Sequence, residues 1–105
     1  MIFEAMSESA EKGELLLVDG GMCRFHLRRD NVLTIREIIV LPEKRRMKIG
    51  SCLLEKLKGT KPKLIRARCP ADLPANHWYS AKGFSIVKTE EIKSGRKVNT
   101  WELPV

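Results

Sequence analysis

The sequence predicts an α+β fold in which a mixed, twisted and mainly antiparallel sheet is flanked by helices. Three observations lead to this prediction. Short segments in the first 40 residues alternate apolar and polar side chains, as strands with one buried face do. The apolar period then lengthens from about two to about 3.6 residues, which indicates a helix. Alternating segments return after that helix, so at least two strands are joined by a crossover and are parallel.

The segments before the crossover predict a short helix followed by three strands in an antiparallel meander. Glycine or Asp/Asn residues separate these segments, and such residues are typical of turns. The sequence Arg29-Asp30-Asn31 predicts a hairpin turn between the second and third strands. The predicted elements are a helix over residues 2–12 and strands over residues 14–19, 22–28 and 32–40.

The second half of the chain predicts the crossover and the strands that complete the sheet. Pro42 ends the third strand, because proline cannot donate to a β-ladder. We expect strands 32–40 and 63–69 to be parallel neighbours, joined through a helix in a right-handed crossover. All 105 residues are predicted to form one domain. The remaining predicted elements are a helix over residues 46–58, a strand over residues 63–69, a short helix over residues 76–82, and strands over residues 84–92 and 98–103.

The composition excludes several classes of protein. No apolar run approaches the ~18 residues of a transmembrane helix, and the first 13 residues carry glutamates in place of the basic region of a secretion signal. The three cysteines, Cys23, Cys52 and Cys69, form no CxxC pair. They predict reduced thiols in a cytoplasmic protein rather than a metal site or a disulfide framework. The net charge of +7 favours a polyanionic partner, either nucleic acid or a phosphate-bearing cofactor.

The segment VLPEKRRMKIGSCLL, residues 40–54, indicates an anion site. The N-terminus of its predicted helix leaves backbone N–H groups unpaired and carries the positive end of the helix dipole. Three basic side chains lie in the same turn, and Gly50 would let a ligand approach the backbone closely. These features suit a pyrophosphate, although the segment is neither a Walker A sequence nor a GxGxxG fingerprint. The alternative is a solvated basic turn that opens an amphipathic helix.

The segment PANHWYSAKGF, residues 74–84, carries the second feature of interest. It places Trp78 beside Tyr79, the only tyrosine of the chain, on a short predicted helix. An aromatic pair of this kind is most often part of a hydrophobic core. A catalytic role for the tyrosine hydroxyl is the alternative.

Read in order, the two segments resemble the GNAT superfamily of acetyl-CoA-dependent N-acetyltransferases. Its motif A runs V-x-P and then Q/R-x-x-G-x-G/A into a helix, and residues 40–50 read VLPEKRRMKIG. Its later motif runs N and then F-Y-x-x-x-G-F, and residues 76–84 read NHWYSAKGF. The resemblance covers about residues 14–103 and implies the family's fold, in which two parallel strands splay apart and admit the cofactor arm. The sequence departs from motif A at Lys48, where the first glycine is usual.

The resemblance implies acetyl-CoA as the cofactor. The main chain at Ile39 and Val40 would pair with the pantetheine arm as an added strand does. The side chain of Asn76 would contact the cofactor, and the alternative is that it caps the short helix. The pyrophosphate would rest on the turn that comprises Arg45, Arg46, Met47, Lys48, Ile49, Gly50 and Ser51.

The resemblance also implies that Tyr79 is the general acid that protonates the departing thiolate of coenzyme A. A phenol with a pKa of ~10 is reasonably matched to a thiol with a pKa of ~8.5. For the base that removes a proton from the acceptor, Glu37 is favoured, because strand alternation places it on an apolar face with Leu33, Ile35 and Ile39. The alternatives are that this face is open to solvent, that Glu37 pairs with an arginine of a neighbouring strand, and that His26 is the base.

These features predict an N-acetyltransferase that moves an acetyl group from acetyl-CoA to a primary amine by direct attack. The acceptor would be a protein lysine, a protein N-terminus or a small amine. The chain is shorter than most members of the family, so the acceptor site would be open or completed by a second subunit in a homodimer. The alternative is a small basic domain that binds nucleic acid, against which the aromatic content of 6% counts.

Overall fold

Six strands form one mixed sheet in the order β1-β2-β3-β4-β6-β5. The computed structural model describes residues 13–41 and 48–105. The α+β class and the mixed sheet are as the sequence predicts. The strands are β1 (Leu15–Val18), β2 (Gly21–Leu27), β3 (Val32–Val40), β4 (Leu64–Pro70), β5 (Ser85–Glu91) and β6 (Lys97–Pro104), and the helices are α1 (Ile49–Lys58) and α2 (Ala75–Ala81).

The predicted elements agree with the observed ones to within a few residues. β3 has the predicted bounds, and α2 begins and ends one residue earlier than predicted. Within the described part of the chain α1 begins at Ile49, and the predicted start of this helix at residues 46 and 47 lies outside the described residues. The helix predicted over residues 2–12 also lies outside them.

The meander β1-β2-β3 is antiparallel and is followed by one parallel pair, β3 and β4. The turn before β3 uses the predicted residues: Asn31 has a φ of 68°, and the amide of Val32 donates to the Asp30 carboxylate at 3.2 Å. An asparagine tolerates this left-handed conformation at little cost. The parallel pair is joined through α1, as the crossover prediction requires.

β3 and β4 are paired along only part of their length. Their register runs from Val32 opposite Leu64 to Ile35 opposite Ala67. Beyond Ile35, the rest of β3 pairs with β2 alone. The two parallel strands therefore separate towards their carboxyl ends and leave one edge of the β3 main chain open.

β3 contains one more residue than β2 between two successive pairs, and this bulge decides which face Glu37 occupies. Arg24 lies opposite Glu37, while the next residue of β2 lies opposite Ile35, so Arg36 is passed over in the register. Opposed residues point to the same face of a sheet, and Glu37 therefore points away from the buried Ile35. The prediction that Glu37 shares a face with Leu33 and Ile35 is wrong, because one extra residue reverses the alternation. Ile39, two residues further along β3, does lie on the face of Glu37 as predicted.

The two helices of the described residues, α1 and α2, pack on one face of the sheet and share its hydrophobic core. α1 contributes Leu53, Leu54 and Leu57, and α2 contributes Tyr79. Burying each leucine stabilises the fold by about 1.5–3 kcal/mol relative to an exposed side chain. The core is completed by Phe84, just before β5, and from the strands by Cys23, Phe25, Leu33, Ile35, Ile65, Ala67, Cys69 and Trp101.

The other face of the sheet carries ion pairs between neighbouring strands. Arg66 Nε lies 2.7 Å from Glu102 Oε2, and Arg24 Nε lies 3.7 Å from Glu37 Oε1. The side chains of both pairs are half-buried. Their main consequence here is that the two faces differ in chemistry, one apolar under the helices and one charged.

The buried Cys23 predicts a loss of stability at alkaline pH. Burial raises the pKa of the Cys23 thiol from 9.0 to about 12. Above 9.0 the unfolded thiol ionises while the folded one stays protonated, so unfolding releases a proton and the free energy of unfolding falls as pH rises. The expected slope is about 1.4 kcal/mol per pH unit for one such group. Urea unfolding at several alkaline pH values measures the slope.

Replacement of Cys23 by alanine removes this titration and provides the control. The Cys23→Ala variant is expected to be less stable at neutral pH because it loses buried volume. Its free energy of unfolding should nevertheless fall less steeply with pH than that of the wild type. Parallel pH profiles for the two proteins would contradict the assignment.

Candidate active site

A cavity of about 560 Å³ lies where β3 and β4 separate. Ile38, Ile39 and Val40 of β3 form one wall, and Trp78 and Tyr79 of α2 lie across from them. The loop before α2 adds residues 73 and 74 to the lining, Ala75 adds the start of α2, and Gly50 adds the first turn of α1. Because none of these side chains is charged, the cavity suits an apolar or amide-bearing ligand arm.

Ile39 and Val40 lie where the sequence predicts a cofactor arm. Both line the cavity, and both belong to the part of β3 that pairs with β2 and not with β4. On the side away from β2, their main chain can therefore form hydrogen bonds with an extended ligand, as it would with an added strand.

The first turn of α1 lies at one end of this cavity and retains free hydrogen-bond donors. The amide of Cys52 donates to the carbonyl of Lys48 at 3.0 Å and begins the helical ladder. No side chain caps the helix and its first turn holds no acidic residue. The amides of Ile49, Gly50 and Ser51 therefore precede the ladder, as an anion site at a helix N-terminus requires. Of the predicted pyrophosphate residues, Arg45, Arg46 and Met47 lie outside the described residues.

Lys48 explains why motif A has a glycine at its position. Its φ of 58° and ψ of 29° are left-handed, a conformation that glycine adopts freely. A side chain there costs roughly 1–2 kcal/mol. Lys48 adopts this conformation in spite of its side chain, and it adds a cation beside the helix N-terminus.

Gly50 is close to Trp78, a contact that sequence reasoning missed. A Cβ at Gly50 would meet Trp78 Nε1 at 2.7 Å, which is too short for any real contact. The glycine is therefore needed for packing against the indole as well as for access to the backbone. The sequence offers one signal for this contact. Gly50 is a small residue at the second position of α1, and the other helix, α2, carries two aromatic residues.

Lys82 is a second residue that the sequence did not single out. Its ammonium donates to the hydroxyl of Ser51, in the first turn of α1. The contact joins the end of α2 to the start of α1 and places another positive charge where the helix dipole is positive. An anion at that point would relieve the repulsion. The two residues are 31 positions apart, so no local pattern could have revealed the contact.

Tyr79 lines the cavity from within the core. It is 5% exposed and its ring packs against Trp78, Phe84 and Trp101, with centroid distances of 5.2, 5.2 and 6.0 Å. Burial is the main cause that raises the pKa of the Tyr79 phenol above its ordinary value. The hydroxyl therefore stays protonated at neutral pH, as a proton donor must.

Glu37 lies on the charged face, next to Arg24. The distance of 3.7 Å between Arg24 Nε and Glu37 Oε1 is too long for a hydrogen bond, and both atoms are buried without a hydrogen-bond partner. The arginine pairing foreseen as an alternative is thus present as an ion contact only. The other candidate base, His26, is bonded through Nδ1 to the Glu14 carboxylate.

Asn76 uses its whole side chain within the protein. Its Nδ2 donates to the carbonyls of Pro70 and Leu73 at 2.8 and 2.7 Å. Its Oδ1 accepts from Asn99 Nδ2 at 3.1 Å and from Trp101 Nε1 at 2.9 Å. No capacity is left for the predicted cofactor contact. The alternative of a helix cap is wrong as well, because the N-cap of α2 is Pro74.

The described residues offer no support for cysteine or metal chemistry. Burial raises the pKa of the Cys69 thiol, which disfavours the thiolate that an acyl-cysteine intermediate needs. Within residues 13–41 and 48–105 there is no cluster of three or more His, Cys, Asp or Glu side chains that could hold a metal ion. None of the helices in this part of the chain is long and apolar enough to span a membrane.

A sequence model for the acetyltransferase (GNAT) domain matches residues 8–86. The fold is similar to solved structures from several bacteria. A GNAT-family protein from Desulfovibrio desulfuricans superimposes with a TM-score of 0.79 at 16% identity and covers 96% of this chain and 77% of its own. The ribosomal-protein-S18-alanine N-acetyltransferase of Escherichia coli gives a TM-score of 0.67 at 20% identity and covers 82% of this chain.

A third similar structure contains the cofactor. It is a protein from Bacillus anthracis that is described as a streptothricin acetyltransferase and was crystallised with acetyl coenzyme A; its TM-score is 0.71 at 19% identity over 81% of this chain. The chain spans 61% and 55% of the lengths of the last two proteins. No curated protein matches the chain significantly by sequence. Identities this low show a common fold.

Proposed function

The chain belongs to the GNAT acetyltransferase family, and from this premise we propose that it transfers an acetyl group from acetyl-CoA to a primary amine. The acceptor is a protein lysine, a protein N-terminus or a small amine. The observation that carries the proposal is the gap between β3 and β4, which leads into an uncharged cavity with the first turn of α1 at its end.

The cofactor is proposed to occupy this gap in an extended form. Its pyrophosphate is held by the free amides at the start of α1, with Lys48 and Lys82 supplying positive charge. Its pantetheine arm pairs with the open edge of β3 at Ile39 and Val40. The thioester then lies beside Tyr79, at the inner wall of the cavity.

The two proton transfers are assigned to opposite sides of the gap. Tyr79 belongs to the helix-covered face and Glu37 to the charged face, so the gap is the passage between them. The amine approaches from the charged face and gives a proton to Glu37, whose Oε1 has no protein donor. Its nitrogen attacks the thioester carbonyl, the C–S bond breaks, and Tyr79 protonates the departing thiolate; the second proton lost by the amine nitrogen restores the Tyr79 phenol.

The base assignment predicts a pH-dependent defect in the Glu37→Gln variant. The substitution keeps the shape of the side chain and removes its ability to take a proton. We expect kcat to fall by roughly 10²-fold near neutral pH, and the defect should shrink as pH rises because more of the amine is already deprotonated. Steady-state kinetics across pH measures both effects.

Glu102→Gln is the matched control, since Glu102 also pairs with an arginine on the charged face. It should retain wild-type kcat at every pH. If Glu37→Gln kept full turnover at every pH, Glu37 would not be the base. Water or His26 would then take the proton from the acceptor amine.

The transfer itself is tested with isotopically labelled acetyl-CoA. A cell lysate is incubated with the label and with wild-type protein, with the Tyr79→Phe variant, or without added protein, and acetylated products are identified by mass spectrometry. The proposal predicts products that form with the wild type and are strongly reduced with Tyr79→Phe and absent without added protein. Labelling that is equal in all three samples does not depend on the protein and would contradict the proposal.

No structural observation favours the nucleic-acid alternative. In the described part of the chain the aromatic side chains are buried, except for Trp78, which is half-buried beside the cavity. Stacking platforms for bases require aromatic faces at the surface.

A further inference from the structure

We propose that Asn76 is a positioning residue, which fixes α2 and the loop before it so that Trp78 and Tyr79 keep their places in the cavity wall. The inference deepens the proposed function and rests on it for its kinetic part. It replaces the direct cofactor contact that the sequence predicts for Asn76.

The four hydrogen bonds of Asn76 join three separate parts of the chain. Two of them hold the carbonyls of Pro70, at the end of β4, and of Leu73, in the following loop. The other two come from the side chains of Asn99 and Trp101 on β6. The start of α2 is thereby fixed to the end of β4, to the loop and to β6.

What Asn76 fixes is the wall of the cavity. Leu73 and Pro74 belong to the loop that it holds and line the cavity. Trp78 and Tyr79 follow within one helical turn and line it too. Trp101 donates a hydrogen bond to Asn76 and also stacks on the Tyr79 ring, with a centroid distance of 6.0 Å. Trp101 therefore contacts both Asn76 and Tyr79.

The hydrogen-bond network of Asn76 continues away from the cavity. It includes a residue outside the cavity through which Asn76 can be perturbed. Asn99 donates to Asn76 Oδ1 through its Nδ2, and its own Oδ1 accepts from the Thr89 hydroxyl at 2.8 Å. Asn99 does not line the cavity. A change at Asn99 can therefore affect the cavity only through Asn76 and its neighbours, whereas a cofactor ligand at Asn76 would not depend on Asn99.

The first experiment uses Tyr79 as a probe, since it is the only tyrosine of the chain. Its ionisation is followed by ultraviolet absorbance, while circular dichroism confirms that each protein is folded. In Asn76→Ala, α2 loosens and water reaches the ring, so the phenol should titrate at a lower pH than in the wild type. Asn99→Ala should shift it in the same direction by a smaller amount. This readout does not require any enzymatic activity.

The second experiment measures acetyl-CoA binding and turnover in the same variants. Misplacement of reacting groups lowers turnover by up to ~10²-fold, and we expect a loss of at least tenfold in kcat for Asn76→Ala. Asn99→Ala should show part of this loss, and the double variant should be no worse than Asn76→Ala alone. Such non-additivity is the sign of one shared pathway.

Asn31→Ala is the matched control. Asn31 also donates to a backbone carbonyl, that of Lys61 at 3.2 Å, and its φ of 68° makes alanine unfavourable there. It precedes β3 at the end of the strand opposite the cavity. This variant should lose stability without any change in the Tyr79 titration or in kcat, which separates positioning from general destabilisation.

Two results would overturn the inference. One is an unchanged Tyr79 titration in folded Asn76→Ala. The other is a raised Kd for acetyl-CoA in Asn76→Ala while Asn99→Ala keeps the wild-type Kd, kcat and Tyr79 titration. That result would show that Asn76 contacts the cofactor directly.

If Asn76→Ala does not fold, the Tyr79 titration of Asn99→Ala decides the question, and an unchanged value there rejects the inference. A protein that binds no acetyl-CoA but shows the predicted titration shifts would contradict the proposed function and leave the positioning role standing.

Discussion

The Tyr79→Phe variant is expected to lose roughly 10²-fold or more in kcat while its KM for acetyl-CoA stays nearly unchanged. The phenylalanine keeps the ring in its packing against Trp78, Phe84 and Trp101. In the described part of the chain the hydroxyl makes no hydrogen bond, so its loss should change the free energy of unfolding by less than about 1 kcal/mol. If Tyr79 served only to fill the core, this substitution would leave kcat unchanged.

The pH profile refines this expectation. Because burial raises the pKa of Tyr79, the phenol stays protonated from about pH 6 to about pH 9, and the wild-type kcat should show no alkaline loss caused by it. The substitution should therefore lower kcat by a similar factor throughout that range. Full turnover of the variant at every pH would assign the proton to water and remove Tyr79 from the mechanism.

The Gly50→Glu variant is expected to weaken acetyl-CoA binding by at least tenfold, which is about 1.4 kcal/mol. Two effects act together. A carboxylate in the first turn of α1 repels the pyrophosphate at the site where the amides would bind it. The new side chain also displaces Trp78, whose Nε1 lies 2.7 Å from the position of the added Cβ. Calorimetric titration measures the loss.

Two further substitutions at Gly50 separate these effects. Gly50→Ala adds only the Cβ and displaces Trp78, and Gly50→Gln adds the full length without the charge. Binding should weaken in the order Ala, Gln, Glu, and the difference between Gln and Glu should diminish at high salt because charge repulsion is screened. A folded Gly50→Glu variant with wild-type affinity would remove the basis for the site at α1.

The parts of the fold that could be predicted are those determined by local patterns. β3 is recognisable because Val32–Val40 is rich in β-branched residues and is bounded by a turn and a proline. The crossover follows from the change in apolar period and from the handedness of parallel connections. The face of Glu37 could not be predicted, because the apolar pattern of IREIIV does not show that Arg36 is an extra residue.

The parts of the site that the sequence missed depend on contacts between distant residues. Lys82 and Ser51, or Gly50 and Trp78, come together only after α2 has folded beside α1. The hydrogen bond from Asn99 to Asn76 likewise joins residues that are 23 positions apart. The order of the motifs along the chain singles out Ile39, Val40 and Tyr79, and all three line the cavity. The contacts of the residues around them are set by tertiary packing.

Calorimetric titration of the wild-type protein with acetyl-CoA tests most directly whether the gap between β3 and β4 is a cofactor site. A random oligonucleotide is titrated in parallel under the same conditions. We expect one-to-one binding of acetyl-CoA that weakens as salt is added, since free amides and lysines at the start of α1 attract the phosphates. Absence of acetyl-CoA binding by the folded protein, with or without binding of the oligonucleotide, would contradict the cofactor site.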